Sequence, residues 1–467
     1  MTLSPGKLPI GRQIFSDIIQ KNMIYVDKTA ILADLISGDP LVRFLSRPRR
    51  FGKSLTVSTL EAVFSGQKEL FKGLAIEERL DEECFAPRPV IKLDLSLVHA
   101  GLGVEGLRKD LAELTDPLAV RLGVSQSVED DPYSKKVSFN KTLVNLIEVC
   151  AKNSGRPVAV LIDEYDKPDL SFMRRSAEME DAREVLRDYY TQLKAAEKDI
   201  SLIFVTGISK FSRRGIFSVF NNVFDISIMP EFGAICGFTQ QELESDFPGH
   251  IEETAQALRI SPTELLDKMR DYYDGFCFDG VTRVYNPFSI LQFFKVKKFD
   301  NFWFESGTSL YLAQYLRDKR LTVEQFRGLA VDREFARNPG EMDKATPESF
   351  LYQAGYLSLR PGNDPDSFTL DYPNREVLKS MSRLLLENIF GSLEKIRFLI
   401  RDLTLAFKSR DPAGVIQVFQ EVLAPIPYDD YVAANRKTFE SLNKVDYGEF
   451  LYRAVLLSFL DLIGLTP

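Results

Sequence analysis

The chain has 467 residues, 45% apolar and 27% charged, the balance of a globular protein with room for roughly two to four domains. A formal net charge of -8 argues against a protein that coats nucleic acid along its whole surface, but it leaves room for a local basic groove. With two histidines (His99 and His250) and four scattered cysteines without a CxxC pair, a histidine-rich metal centre and a zinc ribbon are excluded, so any catalysis rests on carboxylates, Lys, Arg, Ser and Thr.

In chain order, "DPLVRFLS" reads as a short strand entering "RPRRFGKSL", Arg47 to Leu55. "KSLTVSTLEAVFSG" then carries apolar residues at helical spacing, with Gly66 as its stop signal. "RPVIKLDLS" is a second strand, and residues 101–153 are mainly helical in pattern. "RPVAVLIDEYD" is a continuous apolar run ending in acids, as expected of a strand buried on both faces. The helix "AREVLRDYYTQLKAAEKD" and the buried strand "ISLIFVTGIS" follow. Strands alternating with helices predict an α/β fold, a parallel sheet with helices on both faces, over residues 1–235. Residues 236–370 read as a run of short amphipathic helices. "SFTLDYPNREVLKSM" is a short hairpin or strand leading into a helix, and residues 371–467 are nearly all helical. No apolar run is long enough to span a bilayer and the N-terminus lacks the build of a signal peptide, so the expected place is the cytoplasm, with no membrane partner.

Three strand ends carry the chemistry. "RPRRFGKSL" ends as a phosphate-binding loop does, with Gly52, Lys53 and Ser54 between a strand and a helix, although Arg47 stands where the opening glycine belongs. Helix-start amides face an anion, Lys53 reaches the outer phosphates and Ser54 ligates Mg²⁺. Read alone, the stretch is better taken as a basic surface turn followed by a helix, since a bare "GKS" is common by chance. The second strand end has the form of a Walker B strand, with Asp163 for the Mg²⁺ shell and Glu164 to activate water. The third ends at Thr206 or Ser209, either able to sense the γ-phosphate, with Lys210, Arg213 and Arg214 beyond. Arg49, Arg50, Phe51, Leu55 and Arg213 complete the candidate nucleotide-contacting set, and Arg214 is a further charge partner.

These stretches, with "MIYVDKTAIL", "TGISKFSRRGIFSVFNNVFDIS", "YDGFCFDGVTRVYNPFSIL", "FWFESGT", "QAGYL" and "DYPNREV", resemble the bacterial and archaeal AAA-ATPase-like proteins that carry a PD-(D/E)XK nuclease-type C-terminal domain. The resemblance covers most of residues 9–380 in order, and the arginine at the first glycine position looks like a trait of that family. It implies an ATPase core using ATP and Mg²⁺, with Lys53, Ser54, Asp163 and Glu164 in the usual P-loop NTPase roles. A helical middle, with a winged-helix form as one arrangement, follows. The closing "VDYGEFLYRAVLLSFLDLIGLTP" is similar to the first helix of the nuclease-type domain, with Glu449 as its acid, and the expected strands with Asp and (D/E)-x-K do not follow before Pro467. Nuclease activity is therefore not expected of this chain alone, and a protein partner or self-association is expected at the C-terminal helices.

The reading is an AAA-like or signal-transduction P-loop ATPase, with coupling to nucleic-acid processing as an extension. Its rivals are a nucleotide-gated switch with little turnover, a nuclease-related protein whose site is lost or completed by a partner, and a scaffold whose ATP site has decayed. Among other residues, Tyr25 and Asp27 of "YVDKT" are open between base-stacking or loop-fixing and plain packing and capping. Asn286 of "YNPFS" reads as a helix N-cap and Trp303 as core, and Asp371, Asn374 and Arg375 read as a turn network.

Overall fold

The structure is a computed structural model that describes residues 5–38, 41–98, 103–122, 142–172, 176–210, 219–220, 223–303, 323–337, 346–362, 364, 367–424 and 447–465. Its centre is a five-stranded sheet of β1 (Val42–Ser46), β2 (Val90–Asp94), β3 (Val158–Asp163), β4 (Ile200–Gly207) and β5 (Val223–Asp225). The strands are all parallel and run β2-β3-β4-β1-β5 across the sheet. β1 and β3 are buried at every residue, which is why β3 reads as an unbroken apolar run up to Asp163, while β1 buries Arg43 and Ser46 among its apolar residues.

Alternate side chains feed two cores. Leu45, Ala159, Leu161 and Phe204 join Val57, Leu60 and Phe64 of the helix Lys53–Phe64 on one face. Phe44, Val160, Ile162 and Val205 face the helices Gly103–Arg121, Thr142–Ser154 and Met179–Ala195 on the other. Register aligns the carboxyl ends: Ser46 pairs with Gly207, and Asp94 pairs with Asp163. Open α/β sheets bind ligands outside these ends. Because β4 lies between β1 and β3, its end stands between the phosphate loop and the acidic pair.

The first of the two cores does not stop at residue 235. It continues through Phe276, Phe278, Trp303, Leu351, Leu359, Leu370, Val377 and Met381. This second half holds the helices Gln240–Asp246, Pro248–Leu258, Pro262–Tyr273 and Pro287–Val296. It also holds a small ribbon, β6 (Phe276–Cys277) with β7 (Arg283–Val284), and a three-stranded antiparallel sheet of β8 (Leu329–Asp332), β9 (Ser358–Pro361) and β10 (Ser367–Asp371). The middle is thus richer in strands than its sequence pattern suggests, because these strands are two to five residues long and carry no apolar run. The helices Arg375–Phe390, Leu393–Lys408, Pro412–Leu423 and Tyr447–Ile463 build a separate cluster around Leu403, Val422 and Phe459. No helix among the described residues is long and apolar enough to cross a membrane.

Candidate functional site

The phosphate loop leaves β1 through Arg47, whose N–H extends the β1–β4 pairing by one bond to Gly207 O at 3.1 Å. Arg47 is buried. Its guanidinium donates to the carbonyls of Ser46 (2.9 Å), Ser227 (2.7 Å) and Phe232 (3.2 Å), and it lies 4.3 Å from the centre of the Phe278 ring. The left-handed turns of the loop fall later, at Arg50 (φ 69°) and Gly52 (φ 103°). Position 47 therefore needs no glycine freedom, and its arginine holds the loop down instead. Gly52 starts the helix Lys53–Phe64 without a side-chain cap, leaving the first-turn amides to face the loop. Lys53 is buried inside the turn, its Nζ donating to the carbonyls of Arg47 (3.0 Å) and Pro48 (3.1 Å).

Burial pushes the Asp163 carboxyl above its usual range; the nearby Ser54 hydroxyl and the Lys53 charge oppose this, while Glu164 and Asp94 add to it, so the phosphate loop and the end of β3 are within electrostatic reach of each other. Mg²⁺ characteristically takes one or two protein groups beside phosphate oxygens and waters, and the Ser54–Asp163 pair fits that requirement. Glu164 sits at φ 53°, a costly backbone for a residue with a Cβ, and lines the cavity next to the loop. Asp166, two residues on, is fully buried. It accepts bonds from Ser209 N (2.8 Å), Ser209 Oγ (2.9 Å) and Ile208 N (3.2 Å), while burial and the Glu164 charge push it up to about 6.

This geometry separates the two strand-end hydroxyls. Ser209 Oγ is turned to Asp166. Thr206 Oγ1 is buried with no hydrogen-bond partner among the described residues. Lys210 is buried against Asp225 at 2.9 Å, a structural pairing. Arg213 and Arg214 lie outside the described residues. Arg49 is half-buried, and Arg50 is exposed with its guanidinium 4.7 Å from the Phe288 ring. Phe51 is core, edge-on to Phe276 and Phe278, while Leu55 packs under the cavity wall.

The cavity measures about 570 Å³. Its lining combines the polar Lys53, Ser54, Ser96, Glu164 and Lys167 with the apolar or aromatic Ile18, Tyr25, Ile235, Phe238, Phe288 and Leu291. Tyr25 thus reaches the cavity, edge-on to Phe15, while Asp27 accepts from Thr29 N and Ala75 N and acts as a cap. Sequence reasoning missed Asp94, although "VIKLD" ends a strand in an acid just as the Asp163 strand does. It also missed Asp166 and Lys167 in the same turn.

A lysine-bearing phosphate loop and an acid-tipped strand, with a third strand between them, define a P-loop NTPase-like α/β protein. Comparison with known proteins gives the family. A family profile described as "Predicted AAA-ATPase" matches residues 9–217. The chain is also 32% identical over 438 residues to the "Uncharacterized protein in vnfD 5'region" of Azotobacter chroococcum mcd 1, covering 92% of this chain and 79% of that relative. The chain belongs to the AAA-ATPase-like family.

Proposed function

We propose that this protein binds ATP and hydrolyses it with Mg²⁺. The observation that carries the reading is that Gly52, Lys53, Ser54 and Glu164 share the wall of one cavity of nucleotide size with apolar and aromatic side chains, with the Asp163 carboxylate beside Ser54 and Lys53. Lys53 exchanges its two carbonyl partners for β- and γ-phosphate oxygens, and the amides at the start of the helix Lys53–Phe64 take the remaining charge. Ser54 and Asp163 would hold Mg²⁺, which when bound would neutralise charge on the phosphates. Glu164 orients and deprotonates the attacking water. Thr206 is the better placed of the two sensor candidates, since its hydroxyl is uncommitted whereas that of Ser209 is not. The base lies against Tyr25, Phe238 and Phe288. Coupling to nucleic acid remains an extension of the resemblance. In the polar surface cavity beneath β10, arginines such as Arg283, Arg360 and Arg375 are each matched by an aspartate (Asp274, Asp371 and Asp271), so it offers no single-signed groove.

The test is equilibrium binding of ATP with Mg²⁺ to wild type and Lys53→Ala. The variant is expected to bind roughly 100-fold more weakly, the loss of about 3 kcal/mol from a charge-assisted contact. Wild type and Lys53→Ala binding ATP equally would remove the reading. Binding without phosphate release would favour the nucleotide-gated switch.

A further inference from the structure

The phosphate loop is not shaped by its own sequence alone. Each residue from Arg47 to Phe51 is also held by chain from residue 227 onward. The Arg47 guanidinium is bonded by the carbonyls of Ser227 and Phe232. Pro48 packs on Gly355, where an added Cβ would come within 2.5 Å of the proline ring. The Arg49 carbonyl accepts the Trp303 indole N–H at 3.0 Å. The Arg50 carbonyl faces Asn286 Nδ2 at 3.5 Å. The Phe51 carbonyl accepts Gly237 N at 3.3 Å.

Two of these grips share a single buried carboxylate. Glu376 Oε1 accepts Trp303 N at 2.6 Å, and Glu376 Oε2 accepts Ser289 Oγ at 2.8 Å. Ser289 N in turn is capped by Asn286 Oδ1 at 3.1 Å. Glu376 therefore fixes both Trp303 and the helix start that carries Asn286, the two residues holding consecutive loop carbonyls. It stands in the first turn of the helix Arg375–Phe390, whose far end places Leu386 in the C-terminal cluster with Val455 and Phe459. Such a buried, fully bonded group specifies one arrangement of its neighbours.

We propose that Trp303 and Glu376 are positioning residues that set the phosphate loop from the C-terminal half of the chain, so that nucleotide occupancy and the seating of the helix Arg375–Phe390 are linked. The inference rests on the ATP reading above. Linkage is reciprocal: whatever changes the seating of that helix changes ATP affinity, and ATP changes the surroundings of Trp303. Trp303 is the chain's single tryptophan, so its emission reports on this one contact.

The experiment titrates wild type with Mg²⁺ and ATP while following Trp303 emission, and measures affinity for a fluorescent ATP analogue in Trp303→Phe, Glu376→Leu and Glu376→Gln. Emission is expected to change saturably with ATP. Trp303→Phe, which keeps an aromatic ring but removes the N–H to the loop together with part of the indole's volume, is expected to weaken analogue binding about fivefold or more, the worth of at least one neutral hydrogen bond. Glu376→Leu is expected to weaken it at least as much, and Glu376→Gln, which keeps an acceptor, to restore it to within about twofold of wild type. Urea midpoints are read alongside. If Glu376→Leu does not fold, Trp303→Phe and Glu376→Gln carry the test. Wild-type affinity in Trp303→Phe, with emission indifferent to ATP, overturns the inference and leaves the ATP reading intact. A wild type that binds no nucleotide overturns both.

Discussion

Glu164→Gln is expected to bind ATP as tightly as wild type and to release phosphate roughly 100- to 10,000-fold more slowly, the usual worth of a positioned general base. Asp163 is committed: its carboxylate accepts from Glu164 N at 2.9 Å and stands beside Ser54 and Lys53. Asp166 is committed to the end of β4. No hydrogen bond among the described residues holds the Glu164 carboxylate, and the residue lines the cavity. Its left-handed backbone, φ 53°, is the kind of cost a fold retains where a side chain must be aimed. Glutamine keeps the length and polarity and loses only the ability to take a proton. The measurement is single-turnover phosphate release beside equilibrium binding. Wild-type turnover in Glu164→Gln would move the base elsewhere, and lost binding would make Glu164 a structural residue.

The sheet was legible in the sequence where burial on both faces produces an unbroken apolar run, as in Val158–Asp163 and Ile200–Gly207. β5 was not, because three half-buried residues at a sheet edge leave no such run. Strand order was not legible either. That β4 inserts between β1 and β3 follows from long crossovers, not from any local pattern. The motif residues Lys53, Ser54 and Asp163 could be named from spacing, but their nearness to one another depends on how two strands about 110 residues apart come together. The least legible were the buried charges. Arg47 and Glu376 belong to residue types that are seldom fully buried, so a sequence reading places them on the surface. Trp303 was readable as core, yet nothing in "FWFESGT" points its indole N–H at a loop about 250 residues earlier.

Restoring a glycine at position 47, as the phosphate-loop pattern asks, is expected to damage this protein. Arg47→Gly removes a side chain that is 1% exposed, strips guanidinium donors from the carbonyls of Ser46, Ser227 and Phe232, and uncovers the Phe278 ring. Burial already pulls the arginine's pKa down from its usual value, and the carboxylates of Asp279 and Asp225 are among the groups that oppose that shift. The site thus bears the cost of desolvating the guanidinium and recovers it through these bonds. Removing the donors while leaving their acceptors buried costs about 3 kcal/mol or more, and the cavity adds to it. Glycine offers nothing in return, since the positive-φ positions of the loop are Arg50 and Gly52 and not Arg47. Arg47→Met separates the two contributions. It fills much of the volume and carries no charge to desolvate, so its urea midpoint is expected to fall between wild type and Arg47→Gly. ATP affinity is expected to drop in both variants, because the loop's first residue is no longer tied to the segment Ser227–Phe232 and Lys53 loses the fixed carbonyls around it. An Arg47→Gly protein with an unchanged urea midpoint and unchanged ATP affinity would mean that the loop holds its own shape, and that the hold on Arg47 from Ser227, Phe232 and Phe278 is packing without consequence.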